Sequence, residues 1–160
     1  MKKILLFILI LLIMCTLVGQ VFALDDNSAS TQDRFTLTSP AFKDNGMMPF
    51  RYNNRGANKS PALKWTNAPE GTSTFSITCI DYDPPANGYV HWDIRNIPAS
   101  YSELPEGIPE TKKWKDGIIQ QNTWTGPYPP NGVHRYHFVI EAKDVNGKTL
   151  AKAELIGRSD

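Results

Sequence analysis

Short runs of alternating apolar and polar residues fill most of this chain, and clusters of Pro, Gly and Asn break them at brief intervals. Such runs predict strands at Phe35–Thr38, Ala62–Thr66, Thr74–Asp81, Tyr89–Asn96, Val133–Lys143 and Thr149–Ile156. No long stretch repeats every 3.6 residues, so helices are expected to be few and short. Frequent short strands with turn signals between them indicate an antiparallel sandwich or barrel. Asn146-Gly147 stands between the last two runs. It predicts a two-residue hairpin turn, with both central residues at positive φ. No internal repeat or linker divides this part of the chain.

The N-terminus follows another pattern. Met1-Lys2-Lys3 is basic, Ile4 to Val18 is almost wholly apolar, and Val21-Phe22-Ala23 closes the run with small residues at −3 and −1. This reads as a secretory signal peptide over 1–23, cut after Ala23. An uncleaved membrane anchor is the alternative, because the run is near the lower length limit for a span. Cys15 suits a lipid attachment poorly, with the bulky Met14 just before it. A polar stretch at 24–33 reads as a flexible tail. Residues 34–160 are then enough for one domain with one core. The expected location is secreted or periplasmic.

Charge and cysteine content narrow the picture. Two of the 17 Lys and Arg side chains lie in the leader and none of the 16 Asp and Glu, so the remainder carries one more acid than base. That balance gives no electrostatic case for nucleic acid. Cys79 is the one cysteine beyond the leader, so no internal disulfide can form. Alternation places it with Phe75 and Ile77, as a buried inert thiol.

Strand alternation also indicates which polar side chains converge. On a regular strand Phe75, Ile77, Cys79, Asp81 and Asp83 share one face, with two carboxylates at its end. Charges there need partners or a solvated cavity. His134, Tyr136 and Phe138 share a face of the next long run, with Arg135 and His137 opposite. In Tyr89–Asn96, alternation sets His91 with Asp93 and Arg95, against Val90, Trp92 and Ile94. Each group has an ordinary explanation. Asp81 and Asp83 could pair with Arg135 or cap turns, and His91 alone would be a half-buried, hydrogen-bonded ring. His137 is assigned to that ordinary class. His134 is harder to dismiss, because three hydrogen-bonding side chains follow the rigid Pro129-Pro130 turn. No G-x-S-x-G, H-E-x-x-H, C-x-x-C or phosphate-binding glycine loop is present. Two His and two Asp could hold a metal, but no spacing requires one.

Several motifs stand in a familiar order. They are Ser39-Pro40-Ala41-Phe42, Ser60-Pro61-Ala62-Leu63-Lys64-Trp65, Pro69-Glu70-Gly71-Thr72, Asp81-Tyr82-Asp83-Pro84-Pro85, His91-Trp92, Asn96-Ile97-Pro98, Gly126-Pro127 and Pro129 to Tyr136. In this the chain resembles the phosphatidylethanolamine-binding protein family, which includes the Raf kinase inhibitor proteins, and most of all its bacterial and archaeal branch. The resemblance implies an all-β fold: a Greek-key antiparallel β-sandwich with few short helices and a shallow anion pocket at one end of the larger sheet. It implies ligand-binding roles for Asp81, Asp83, His91, Pro129, Pro130, His134 and Tyr136, with a proline that is often cis at Pro85. The implied ligand is a small phosphoryl anion or phospholipid head group, and the implied protein partner a kinase or protease. No catalytic residue, cofactor or metal is expected. The aspartates would orient the imidazoles, each accepting from one ring nitrogen and leaving the other for the ligand. Two alternatives stay open: a hydrolase or metalloenzyme using the His and Asp cluster, and a protein-binding inhibitor with a vestigial pocket.

The chain departs from the family pattern in places. Tyr82 and Pro84 stand where Pro and Ala are usual, and Tyr128 where bacterial members often have Cys. The branch usually inserts a helix before its last strand, where this chain has only Asp144 to Lys148. Ser159 stands where a G-x-Y tyrosine is common.

Overall fold

A computed structural model describes residues 34–160. The proposed leader and tail lie outside the described residues. Among the described residues, nine strands form two sheets. In chain order they are β1 (Thr36–Thr38), β2 (Gly46–Met47), β3 (Leu63–Thr66), β4 (Thr74–Asp81), β5 (Tyr89–Pro98), β6 (Glu103–Leu104), β7 (Ile119–Asn122), β8 (His134–Lys143) and β9 (Thr149–Ser159). The small sheet runs β1-β3-β6 and the large one β2-β9-β8-β4-β5-β7. Two single-turn 3-10 helices, Phe50–Tyr52 and Lys115–Gly117, are the only helical segments among the described residues. The mainly antiparallel β-sandwich expected from the sequence is what the chain forms; one short pair, β2 with β9, is parallel.

Alternation builds the core. β4 buries Phe75, Ile77 and Cys79, and β8 buries Tyr136, Phe138, Ile140 and Ala142. Opposite them, the small sheet contributes Leu37, Leu63 and Trp65. The layers meet where the Trp65 and Phe75 rings sit 5.2 Å apart. Cys79 is fully buried, and burial pushes its thiol well above the ordinary range, so it stays protonated and inert.

Two features of the large sheet depart from the expected pattern, and the first of them shapes the site. Pairing of β4 with β5 passes from Cys79 opposite Trp92 to Ile80 opposite Val90, and leaves His91 out of the ladder. This β-bulge reverses the parity of β5. His91 and Trp92 are both buried as a result, which simple alternation forbids. The grouping of His91 with Asp93 and Arg95 is therefore corrected. Asp93 and Arg95 pair with each other, at 2.6 Å, on the outer face of the sheet.

The second departure is at the β8–β9 connection. Gly147 N–H donates to the Asp144 carbonyl and Asp144 N–H to the Lys148 carbonyl, at 3.0 and 2.9 Å. Gly147 has φ +81, while Asn146 is not among the positive-φ residues. The hairpin is tight and joins adjacent antiparallel strands, as expected, but its loop has three residues and one left-handed position. Asp144 explains the difference: its Oδ1 accepts from the Asn146 and Lys148 amides, both at 2.9 Å, and holds the wider turn.

Candidate functional site

The C-terminal end of β4 and the N-terminal ends of β5 and β8 lie side by side. Asp81 is opposite Tyr89 on one side and Tyr136 on the other. Side chains from these ends, with the 125–130 and 85–86 loop segments, line a cavity of about 280 Å3. Asp81, His91, Pro129, Pro130, His134 and Tyr136 all line it, so six of the seven residues singled out in the sequence converge.

Asp83 is the seventh, and it does not line the cavity. The regular strand ends at Asp81, so parity does not extend to 83. Instead the Asp83 N–H folds back and donates to Asp81 Oδ1 at 2.9 Å. Its carboxylate turns outward, where Oδ1 accepts from Arg135 Nη2 at 2.5 Å and Oδ2 from the Arg135 amide at 2.7 Å. The Arg135 guanidinium holds this carboxyl down at about 2. Asp83 thus clips the 82–88 loop to β8, and the ordinary reading of this residue is the right one. His137 is also elsewhere: its Nδ1 lies 2.8 Å from Glu154 Oε1, and its ring packs edge-on against Tyr82.

Each imidazole in the cavity has one nitrogen committed. His134 Nδ1 sits 2.7 Å from Asp81 Oδ2, with both side chains almost wholly buried. Since a carboxylate accepts, Nδ1 carries the proton and Nε2 is left over. The second oxygen of Asp81 accepts from the Asp83 amide, so each carboxylate oxygen holds one partner and the group positions the His134 ring. His91 Nδ1 lies 2.6 Å from the Thr125 carbonyl oxygen, and the Thr125 amide donates to the His91 carbonyl at 2.9 Å. Burial lowers the pKa of His91, more than the Thr125 carbonyl and Asp81 raise it. The His91 ring stands edge-on to Tyr89 at 4.7 Å and to Tyr136 at 5.0 Å.

Tyr136 is completely buried, and its hydroxyl has no hydrogen-bond acceptor among the described residues; the Tyr128 amide lies near its oxygen. Burial pushes this phenol far above its ordinary value, so it remains a donor. The far wall depends on a close approach that only glycine permits. A Cβ on Gly126 would stand 2.2 Å from the Tyr52 carbonyl oxygen. The Gly126 amide is tied to Asn58 Oδ1 at 2.8 Å. Arg55 braces the next turn, with its guanidinium 4.3 Å over the Tyr128 ring and Nη2 bonded to the Pro129 carbonyl. The Pro84-Pro85 peptide is cis.

Sequence reasoning missed Thr125, whose carbonyl fixes the His91 ring, and the lining residues Asn54, Tyr89 and Tyr128. Backbone roles leave no side-chain signature. The one available pointer was the adjacent Gly126-Pro127 pair.

This arrangement can be set beside known proteins. The phosphatidylethanolamine-binding protein family model matches residues 38–157. This chain belongs to that family. It is 34% identical over 144 residues to a UPF0098 protein of Methanothermobacter thermautotrophicus, covering 76% of this chain and 95% of the relative. It is 35% identical over 123 residues to UPF0098 protein YbhB of Escherichia coli, covering 68% of this chain and 78% of YbhB. Among solved structures it is similar to Escherichia coli YbcL, described as a member of the mammalian PEBP family, with 26% identity and a TM-score of 0.71 over 79% of this chain and 98% of YbcL. The match to the family spans every residue that lines the cavity. Members of this family are typically binding proteins.

Proposed function

We propose that this chain is an exported, non-catalytic binding protein whose cavity takes a small phosphoryl-type anion or head group and that it acts on a protein partner such as a kinase or protease. The observation that carries the reading is the set of unused atoms in the cavity. Both imidazoles have Nδ1 bonded and Nε2 free, and the Tyr136 hydroxyl is a buried donor without a partner. A buried polar group left unpaired costs about 1–3 kcal/mol, which a ligand acceptor would relieve. The volume of about 280 Å3 lies at the small end for ligand pockets and suits a head group rather than a whole lipid.

A covalent hydrolase finds little support. Among the described residues no Ser, Cys or Lys side chain lines the cavity, and the one carboxylate there, Asp81, has a partner on each oxygen. Among the described residues no three His, Cys, Asp or Glu side chains gather as a metal site.

Calorimetry with phosphoethanolamine and inorganic phosphate tests the reading, on wild type, His134→Ala and Asp81→Asn. A charge-assisted hydrogen bond is worth about 1.5–3 kcal/mol, so losing the His134 ring is expected to weaken binding tenfold or more. Asp81→Asn is also expected to weaken it, although a negative charge is removed, because the His134 ring loses its orienting carboxylate. Equal affinity in all three proteins would refute the site. Tighter binding in Asp81→Asn would show that the carboxylate merely repels the anion.

A further inference from the structure

The cavity is an unusual place for an anion, because among the described residues neither Arg nor Lys lines it. Its one formal negative charge, on Asp81, is already bonded twice. The remaining atoms must therefore do the recognition, and His91 decides what they can accept. Its Nδ1 faces the Thr125 carbonyl oxygen at 2.6 Å. A carbonyl only accepts, so that nitrogen keeps its proton in either charge state of the ring. A neutral His91 then turns a bare lone pair on Nε2 to any ligand. The charged or titratable groups that line the cavity with the ring are Asp81 on β4, Tyr89 on β5, Tyr128 on the 125–130 segment, and His134 and Tyr136 on β8. Asp81 favours the charged ring and His134 opposes it, but burial is the largest influence and keeps the pKa below 6.5. The ring is neutral at neutral pH.

A fully ionised oxyanion carries only acceptors. Placed against a neutral His91 it would set one lone pair against another, and no Arg or Lys among the described lining residues offsets this. We propose that the cavity takes its anion together with one proton, shared with His91 Nε2: a ligand bearing an acidic P–OH donates it to that nitrogen, and a ligand without one is accompanied by a proton that the nitrogen takes up from solvent. This deepens the anion-binding reading above and rests on it. His91 thereby selects singly protonated anions over fully ionised ones. For a permanently ionised ligand, affinity is highest below the pKa of the free ring. It falls by up to tenfold per pH unit above that, until the raised pKa of the bound ring is passed.

Inorganic sulfate is the decisive probe, because it carries no exchangeable proton between pH 5.5 and 8. Its binding to wild type and His91→Gln is followed by calorimetry in two buffers of different protonation enthalpy. Ring resonances of His91 are followed by NMR in the same range. The expected result is uptake approaching one proton per sulfate at pH 7, an upward shift of the His91 titration midpoint, and loss of the uptake in His91→Gln. Sulfate binding without proton uptake, with the ring still neutral, would overturn the inference and leave the anion site standing. Undiminished uptake in His91→Gln would overturn the assignment to this ring. If sulfate, phosphate and phosphoethanolamine all fail to bind at any pH, the anion-binding reading falls and this inference falls with it.

Discussion

Tyr136 shows how binding and stability pull against each other in one side chain. Its ring is part of the core, packed edge-on to His91, while its hydroxyl is buried without a partner. Tyr136→Phe keeps the ring and removes the orphan group. The variant is expected to be as stable as wild type or more so, by up to about 1–2 kcal/mol, while binding phosphate more weakly. Urea denaturation and an anion titration on the same preparation check both halves. A loss of stability would mean that the hydroxyl is structurally satisfied. At this scale the sequence was informative wherever strands are regular. Asp81, His134 and Tyr136 sit on the parity positions of β4 and β8, and all three line the cavity. Asp83 failed the same argument because the chain leaves the sheet two residues earlier. Thr125 was invisible because it acts through its backbone.

The elements around the cavity are held by polar clips rather than by length. The 82–88 loop is closed by the Gly88 amide on the Asp81 carbonyl at 2.8 Å, and is fixed to β8 by Asp83 and Arg135. The lowered pKa of Asp83 gives this clip a pH signature. Its ordinary value is 3.8 and its folded value about 2. The contribution is therefore fully present above about pH 4 and disappears as pH falls toward 2. Asp83→Asn is expected to be less stable than wild type at pH 7, with the gap closing between pH 4 and pH 2. Urea midpoints for the two proteins across that range would show it, and a gap independent of pH would refute the ion pair. The strands themselves were legible in part. Six were expected close to where they occur, because each carries several apolar residues in alternation. β2 and β6 have two residues each, too short to show a period, and β7 reads Ile-Gln-Gln-Asn, with one apolar residue. They exist because neighbouring strands offer them an edge.

For the whole molecule, the family assignment and the all-β fold were readable because motif order survives where local patterns blur. Export is a separate matter, resting on the apolar run from Ile4 to Val18 and the small residues before Leu24. Expression of the full chain with its own leader is expected to yield extracytoplasmic protein starting at or near Leu24, by mass spectrometry of the intact product. Retention of Met1 to Val18 would favour the anchored alternative.

The extra residue in β5 makes the cavity a matter of counting. Which way His91 faces is set by the number of residues between Trp92 and the β4–β5 turn, and only indirectly by what those residues are. Substitution scanning would pass over Val90, which is only partly buried and does not line the cavity. Deleting it tells a different story: the ladder would run unbroken, His91 would fall opposite Ile80, and the ring would swing to the outer face with the domain still folded. Such a deletion is expected to reduce anion affinity as far as His91→Ala does, with little change in the circular dichroism of the sheet. A relative that lacks one residue here would thus keep every motif and lose an imidazole from the pocket, so alignment gaps in this strand carry more functional information than mismatches.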